Sequence, residues 1–431
     1  MAGDELKVKG GVTISGTVRV SGSKNATLFL MAAALLAQGK SVLVGASNVG
    51  DVRNFALLLD HLGATVSFTK SQVVIDTSQI TSTKDSAHVP SELASRLRAS
   101  VILLGPLLAR HGQAKVGFSG GCTIGTRPIG QHLKGLKALG ASITAQDGYL
   151  NATAPRVLRG AEIKLDTPSV TATVTLLLAA VLADGETSIV GAATEPEVED
   201  LANYLLQMGA DIKGHGTRCI TIKGRNQLHG CHYSVMPDRI ECGTLMIAAA
   251  LVGNKLIVKG TRSEHLSILI DCLREIGADI QLDDADGSIT ISRAPKPKPT
   301  SLPTEPYPGF PTDLQPQIMA LLLVAEGTSR ITETVFQRRF QHGAGLARMG
   351  ANISVVGNCA TVEGVPKLLG AVVEGNDIRG YASLLVAALV AEGESIVRGV
   401  HHLDRGLEQL DMKLASVGAD IHRVDDPLGG R

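Results

Sequence analysis

The chain has 431 residues, 41 basic and 41 acidic side chains, a formal net charge of zero, 3% aromatics and no Trp. Balanced charge argues against a general nucleic-acid or membrane-surface binder, and so few aromatic rings argue against base-stacking platforms. No apolar run approaches the roughly 18–20 residues of a membrane span. In chain order, an apolar helix-like run ends six times in Gly-Ala and hands over to a short β-like stretch. The copies are LLLDHLGATV (57–66), LKGLKALGASI (133–143), LANYLLQMGADI (201–212), LIDCLREIGADI (269–280), GLARMGANI (345–353) and MKLASVGADI (412–421). Their glycines, Gly63, Gly140, Gly209, Gly277, Gly350 and Gly418, follow one another at 77, 69, 68, 73 and 68 residues. Glycine just past the last turn supplies a left-handed helix C-cap.

A second six-fold signal lies between these copies: AAALLAQGKSVLVG (32–45), GPLLARHGQAKVGF (105–118), LAAVLADGETSIVG (178–191), IAAALVGNKLIVKG (247–260), LLLVAEGTSRITE (321–333) and LVAALVAEGESIVRG (385–399). Each is an Ala/Leu helix that stops at Gly, followed by alternating residues of β type. Each repeat of about 70 residues therefore reads as helix, strand, second helix and strand, with further strand in the remainder. That is larger than a solenoid repeat, so each copy is expected to form a small α/β module. Six modules fit two domains of three.

Eight of the 17 prolines fall in 295–316, where neither helix nor central strand is expected. Such a long irregular segment in a compact fold is usually functional or a linker, and this one reaches Pro311-Thr312-Asp313 just before the fifth repeat's helix. Six cysteines (122, 219, 231, 242, 272, 359) are scattered without C-x-x-C pairing, which reads as reduced thiols and not disulfides or zinc ligands. The N-terminal MAGDELKVKGG lacks the order of a signal peptide, so a cytoplasmic α/β protein is expected.

Helix starts are where chemistry is expected. Ser21-Gly22-Ser23-Lys24-Asn25 precedes the first helix, Gly120-Gly121-Cys122-Thr123-Ile124-Gly125-Thr126-Arg127-Pro128 the second helix of repeat two, and His401-His402-Leu403-Asp404-Arg405-Gly406 the last helix. Lys24, Arg127 and Arg405 would stand near positive helix ends, where a bound anion relieves the repulsion and gains N–H donors. One such cation alone is a solvated charge; three at equivalent places suggest a converging anion pocket. Cys122 lies on a glycine-rich loop with Arg127 nearby, a setting that favours a thiolate. The other five cysteines read as small buried thiols. Asp313 reads as a helix N-cap or as a general base. Asp238 reads as an ion-paired cap, and Arg98 and Arg379 also stand near helix starts. The histidines show no metal-ligand spacing.

These strings resemble the UDP-N-acetylglucosamine enolpyruvyl transferases, the sugar-nucleotide branch of the EPSP synthase superfamily. The resemblance runs from VSGSKNA (20–26) through LRASVILLGPLLAR (97–110), GGCTIGTRP (120–128), MPDRIECGT (236–244), FPTDLQPQ (310–317) and ITETVFQRRF (331–340) to HHLDRG (401–406). It implies an inside-out α/β barrel of two domains with three units each, residues 23–237 and 1–22 plus 238–431, closing over a cleft. It implies transfer of the enolpyruvyl group of phosphoenolpyruvate to the 3-hydroxyl of UDP-N-acetylglucosamine with release of phosphate, the first committed step of peptidoglycan synthesis and a fosfomycin target. No metal or organic cofactor, nucleic acid or membrane insertion is implied.

By the same resemblance Lys24, Arg127 and Arg405 hold phosphoenolpyruvate. Cys122 is the acid toward carbon 3 and can form an adduct, and Asp313 takes the sugar hydroxyl proton. Asn25, Arg98, Arg127, Pro128, Ile129, Asp313, Val335, Arg339 and Arg379 belong to the sugar nucleotide or to domain closure. The chain departs from the family pattern at Gly130 (usually acidic), Thr171 (Gly), Gln337 and Arg338 (Glu-Asn), and Gly343-Ala344-Gly345 (Val-Pro-Glu). These departures keep a second acceptor open, such as UMP in secondary metabolism.

Overall fold

Left-handed glycines set the frame. In the structure, a computed structural model that describes residues 5–69, 71–80, 85–120, 127–154 and 157–424, Gly63, Gly140, Gly209, Gly277, Gly350 and Gly418 have φ of 92°, 95°, 101°, 112°, 91° and 105°. All six repeat glycines therefore cap their helices as the spacing predicts. The second signal holds at five places: Gly39, Gly112, Gly185, Gly327 and Gly393 have φ of 120°, 66°, 95°, 136° and 93°. Gly253 differs, with φ −82° as the extended C-cap of the Arg239–Val252 helix. There the helix runs straight into the strand Gly253–Lys259, a register shift follows between Gly253 and Leu256, and Lys255 takes the positive φ of 54°. A bulge thus takes up the turn that glycine makes elsewhere.

The described residues form six four-stranded sheets and one two-stranded sheet. Every four-stranded sheet has one topology. An edge strand runs parallel to the strand that follows the Ala/Leu helix, and two antiparallel strands complete the order. Glu162–Lys164, Glu186–Val190, Cys219–Lys223 and Asp211–Lys213 form one example. In another the N-terminal strand Glu5–Lys9 lies between Glu394–Arg398 and Asp420–Val424, antiparallel to both.

The chain divides into two compact units, 22–120 with 127–236 and 5–21 with 237–424 among the described residues. Each has its own apolar core and three of the four-stranded sheets. The first core is built on the helices Lys24–Ala34, Leu104–His111 and Val170–Ala180, the second on Arg239–Val252, Gln315–Leu322 and Ile378–Val390. These helices are apolar nearly all round, the pattern of fully buried helices. The second helices of the repeats keep an exposed side: in Ser267–Ile276 the buried residues are Leu269, Ile270, Leu273 and Ile276, and Pro196–Gln207, more fully covered, exposes Glu199, Asn203 and Gln207.

Polar helix starts are capped from within. Ser23 Oγ accepts from the Ala26 N–H at 3.3 Å, Asp238 from Ile240 and Glu241 at 2.9 Å each, and Asp377 from Arg379 and Gly380 at 3.0 and 3.1 Å. Asp238 is thus a cap, as expected. The proline-rich 295–316 carries more order than its composition suggests. Ser301–Pro303 is an edge strand parallel to Thr328–Thr332, and the Gln315–Leu322 helix starts inside the segment with Pro316 in its first turn. An edge and a first turn are the two places where the missing proline N–H costs little. Among the described residues no helix is long and apolar enough to cross a membrane.

Candidate active site

Within residues 22–236, Lys24 is the first residue of its helix, directly after the Ser23 cap. Its Nζ lies 3.4 Å from Asp51 Oδ2, both side chains largely buried. Sequence reasoning missed Asp51, because an acidic residue in the first turn of an amphipathic helix reads as a solvated complement to the dipole. Asn25 follows, half-buried. Arg98 opens the 3-10 turn Arg98–Leu103 ahead of the Leu104–His111 helix. It donates through Nη1 to Ser119 Oγ at 2.9 Å and through Nη2 to the Arg127 carbonyl. Burial, with the charge of Arg127, pulls the Arg98 guanidinium down to about 10.

Arg98 therefore ties together the two ends of the chain segment that carries Cys122. Cys122 itself lies outside the described residues. Arg127 is half-buried, Pro128 exposed and Ile129 partly buried, just before the Gly130–Ala138 helix. Thr171, one of the departures from the family pattern, has a partner of its own: its Oγ1 is 3.0 Å from His132 Nε2. Burial and the Arg98 charge hold His132 down at about 4, so this imidazole is neutral at pH 7.

Within residues 237–424, Asp313 is the meeting point. Its Oδ1 accepts from Arg339 Nη2 at 2.8 Å and its Oδ2 from Arg379 Nη2 at 2.9 Å. The arginine side chains are 3% and 6% exposed and that of Asp313 29%, so the cations are fixed while the carboxylate reaches solvent. Sequence left Asp313 between cap and base. The caps of its short turn and of the following helix fall on Pro311 and Leu314, and the carboxylate is engaged by two guanidinium groups. Arg379 is held by the Asp377 capping turn, and Arg339 lies over the Phe336 ring at 5.4 Å. Val335 is 40% exposed beside them in sequence.

Arg405 departs from its expected place. It is the C-cap of a short helix, Val400–Asp404, five residues ahead of the last helix, Leu410–Ser416. It stands at a carbonyl end, where a cation is favoured, and no helix start repels it. The thiol expectation holds in part. The five described cysteines are unbridged, but only Cys242 is buried; Cys231, Cys272 and Cys359 are half-buried, and Cys219 is exposed because the in-out alternation of Cys219–Lys223 turns it outward.

Residues 8–414 match the family model of EPSP synthase (3-phosphoshikimate 1-carboxyvinyltransferase). Two proteins named UDP-N-acetylglucosamine 1-carboxyvinyltransferase, from Trichlorobacter lovleyi and Gluconobacter oxydans, are 46% and 47% identical to the chain, each match covering 98% of it and 100% of the relative. Among solved structures, the enolpyruvyl transferase NikO from Streptomyces tendae is similar at TM-score 0.86 and 26% identity, over 99% of this chain and 100% of that one. EPSP synthase from Acinetobacter baumannii shares the fold at TM-score 0.73 and 20% identity, over 97% and 99%. The chain belongs to the EPSP synthase family of carboxyvinyltransferases, on the branch of the UDP-N-acetylglucosamine 1-carboxyvinyltransferases it matches from end to end.

Proposed function

We propose that the protein transfers the enolpyruvyl group of phosphoenolpyruvate to the 3-hydroxyl of UDP-N-acetylglucosamine, releasing phosphate, as the first committed step of peptidoglycan synthesis in the cytoplasm. The observation that carries this is identity of 46–47% over full length to proteins named for that acceptor. The Asp313 arrangement supports it. Two buried guanidinium groups hold the carboxylate in one orientation while 29% of it stays open to solvent, so it is positioned and reachable for a proton.

In this scheme Cys122 gives a proton to carbon 3 of phosphoenolpyruvate. The sugar oxygen bonds to carbon 2 as its proton passes to Asp313. The tetrahedral ketal then loses phosphate while one carbon-3 proton returns to the Cys122 thiolate, which restores the double bond. Lys24, Arg127 and Arg405 answer the charges of phosphate and carboxylate. Asn25, Arg98, Arg127, Pro128, Ile129, Asp313, Val335, Arg339 and Arg379 serve the sugar nucleotide. The chemistry draws on no metal or organic cofactor. The six like sheets support reading the fold as six α/β units in an inside-out barrel, with domains 23–237 and 1–22 plus 238–431.

Phosphate release from phosphoenolpyruvate tests the acceptor. It is expected with UDP-N-acetylglucosamine and absent without an acceptor. Release with UMP and none with UDP-N-acetylglucosamine would overturn the reading in favour of an acceptor change tied to Gly130, Thr171, Gln337 and Arg338.

A further inference from the structure

Glu333 is an ionisable side chain in the ITETVFQRRF string to which the scheme above gives no part. It is 2% exposed, directly after the strand Thr328–Thr332, and it accepts four hydrogen bonds. Oε1 takes the Thr304 hydroxyl at 2.8 Å, the Val335 N–H at 2.9 Å and the Phe336 N–H at 3.0 Å, and Oε2 takes the Thr312 hydroxyl at 2.9 Å. A buried carboxylate is costly unless its lone pairs are used, and here they are. The donors come from three segments. Thr304 belongs to the proline-rich stretch, Thr312 to the turn that carries Asp313, and Val335 and Phe336 to the loop that carries Arg339. The ring closes through the Thr334 N–H, which donates to Thr304 Oγ1 at 3.0 Å, and the Thr334 hydroxyl, which donates to the Thr304 carbonyl. Asn358 Nδ2 donates to the Glu333 carbonyl at 3.1 Å, fixing the backbone as well.

The 2.8 Å contact between Asp313 and Arg339 therefore joins two side chains whose backbones both hang from one carboxylate. We propose that Glu333 is a positioning residue for the transfer, setting Asp313 through Thr312 and Arg339 through the Val335 and Phe336 amides. The proposal rests on the assignment of Asp313 as the proton acceptor. Glu333 touches no reacting atom. A displacement of about 1 Å in a reacting group can cost about 10²-fold in rate, so a single hydroxyl on this path is enough to measure.

The test is steady-state kinetics of Thr312→Val, Thr312→Ser, Glu333→Gln, Glu333→Ala and Asp313→Asn with phosphoenolpyruvate and UDP-N-acetylglucosamine. Thr312→Val removes one hydroxyl at nearly constant shape. It is expected to lower kcat by about 10²-fold while KM for phosphoenolpyruvate stays within about twofold. Thr312→Ser should restore most of kcat. Glu333→Gln should do the same relative to Glu333→Ala, since an amide oxygen can take the Oε1 bonds while its NH2 donates to the Thr312 oxygen. Should Glu333→Ala fail to fold, the Thr312 pair decides. Parental kcat in Thr312→Val beside an inactive Asp313→Asn overturns the positioning role and leaves the base in place. Parental turnover in Asp313→Asn overturns both.

Discussion

Asp313 and its two arginines lie 26 and 66 residues apart in sequence, yet both contacts are shorter than 3 Å. No spacing rule reaches across such distances, which is why composition and periodicity could not choose between cap and base. Glu333 shows the same limit: a carboxylate at the end of a strand reads as solvated, and its burial arises only when three segments fold onto it. Lys24, Arg98 and Arg127 stand at or just before helix starts, where the sequence puts them, because helix starts and glycine-rich strings are local signals. Arg405 was legible as a cation but not as a C-cap, because a helix of five residues has no periodicity to read. At this scale the sharpest expectation concerns Cys122. The Cys122→Ala variant should lose nearly all turnover, measured as phosphate release, and fosfomycin is expected to add its mass to the parent protein but not to the variant. Unchanged rates would remove the thiol from the chemistry.

Elements were more readable than side chains because their rules are short-range. The repeat glycines could be picked out because a left-handed C-cap strongly prefers glycine. Gly140 isolates that effect: φ is 95°, and an added Cβ would meet nothing within 4 Å. Gly140→Ala should therefore cost only backbone strain, about 1–2 kcal/mol in a denaturant titration, with activity retained at assay temperature. A neutral result would mean that the cap does not hold the Gly130–Ala138 helix. The exceptions are equally local. Gly253 gives its turn to a bulge at Lys255, and the proline-rich segment keeps an edge strand, because in each case the neighbouring strand supplies what the sequence pattern omits.

At the scale of the molecule, two cores of similar make and six sheets of one topology follow from a repeat that was visible as a period of about 70 residues. What the period could not contain is the N-terminal strand Glu5–Lys9, which pairs with residues 385–393 and 411–419 positions away. The repeat supplies equivalent helix starts, and each start carries a different group: Lys24, Arg98, the Asp238 cap, the Asp313 turn and Arg379. This frame serves carboxyvinyl transfer to the sugar 3-hydroxyl. Carbon-13 NMR of the reaction with labelled phosphoenolpyruvate and UDP-N-acetylglucosamine tests it most directly. The expected product carries an enol ether label coupled to carbon 3 of the sugar, with one phosphate released per label. Label that stays on phosphoenolpyruvate, or appears on a nucleotide acceptor without the sugar, would contradict it.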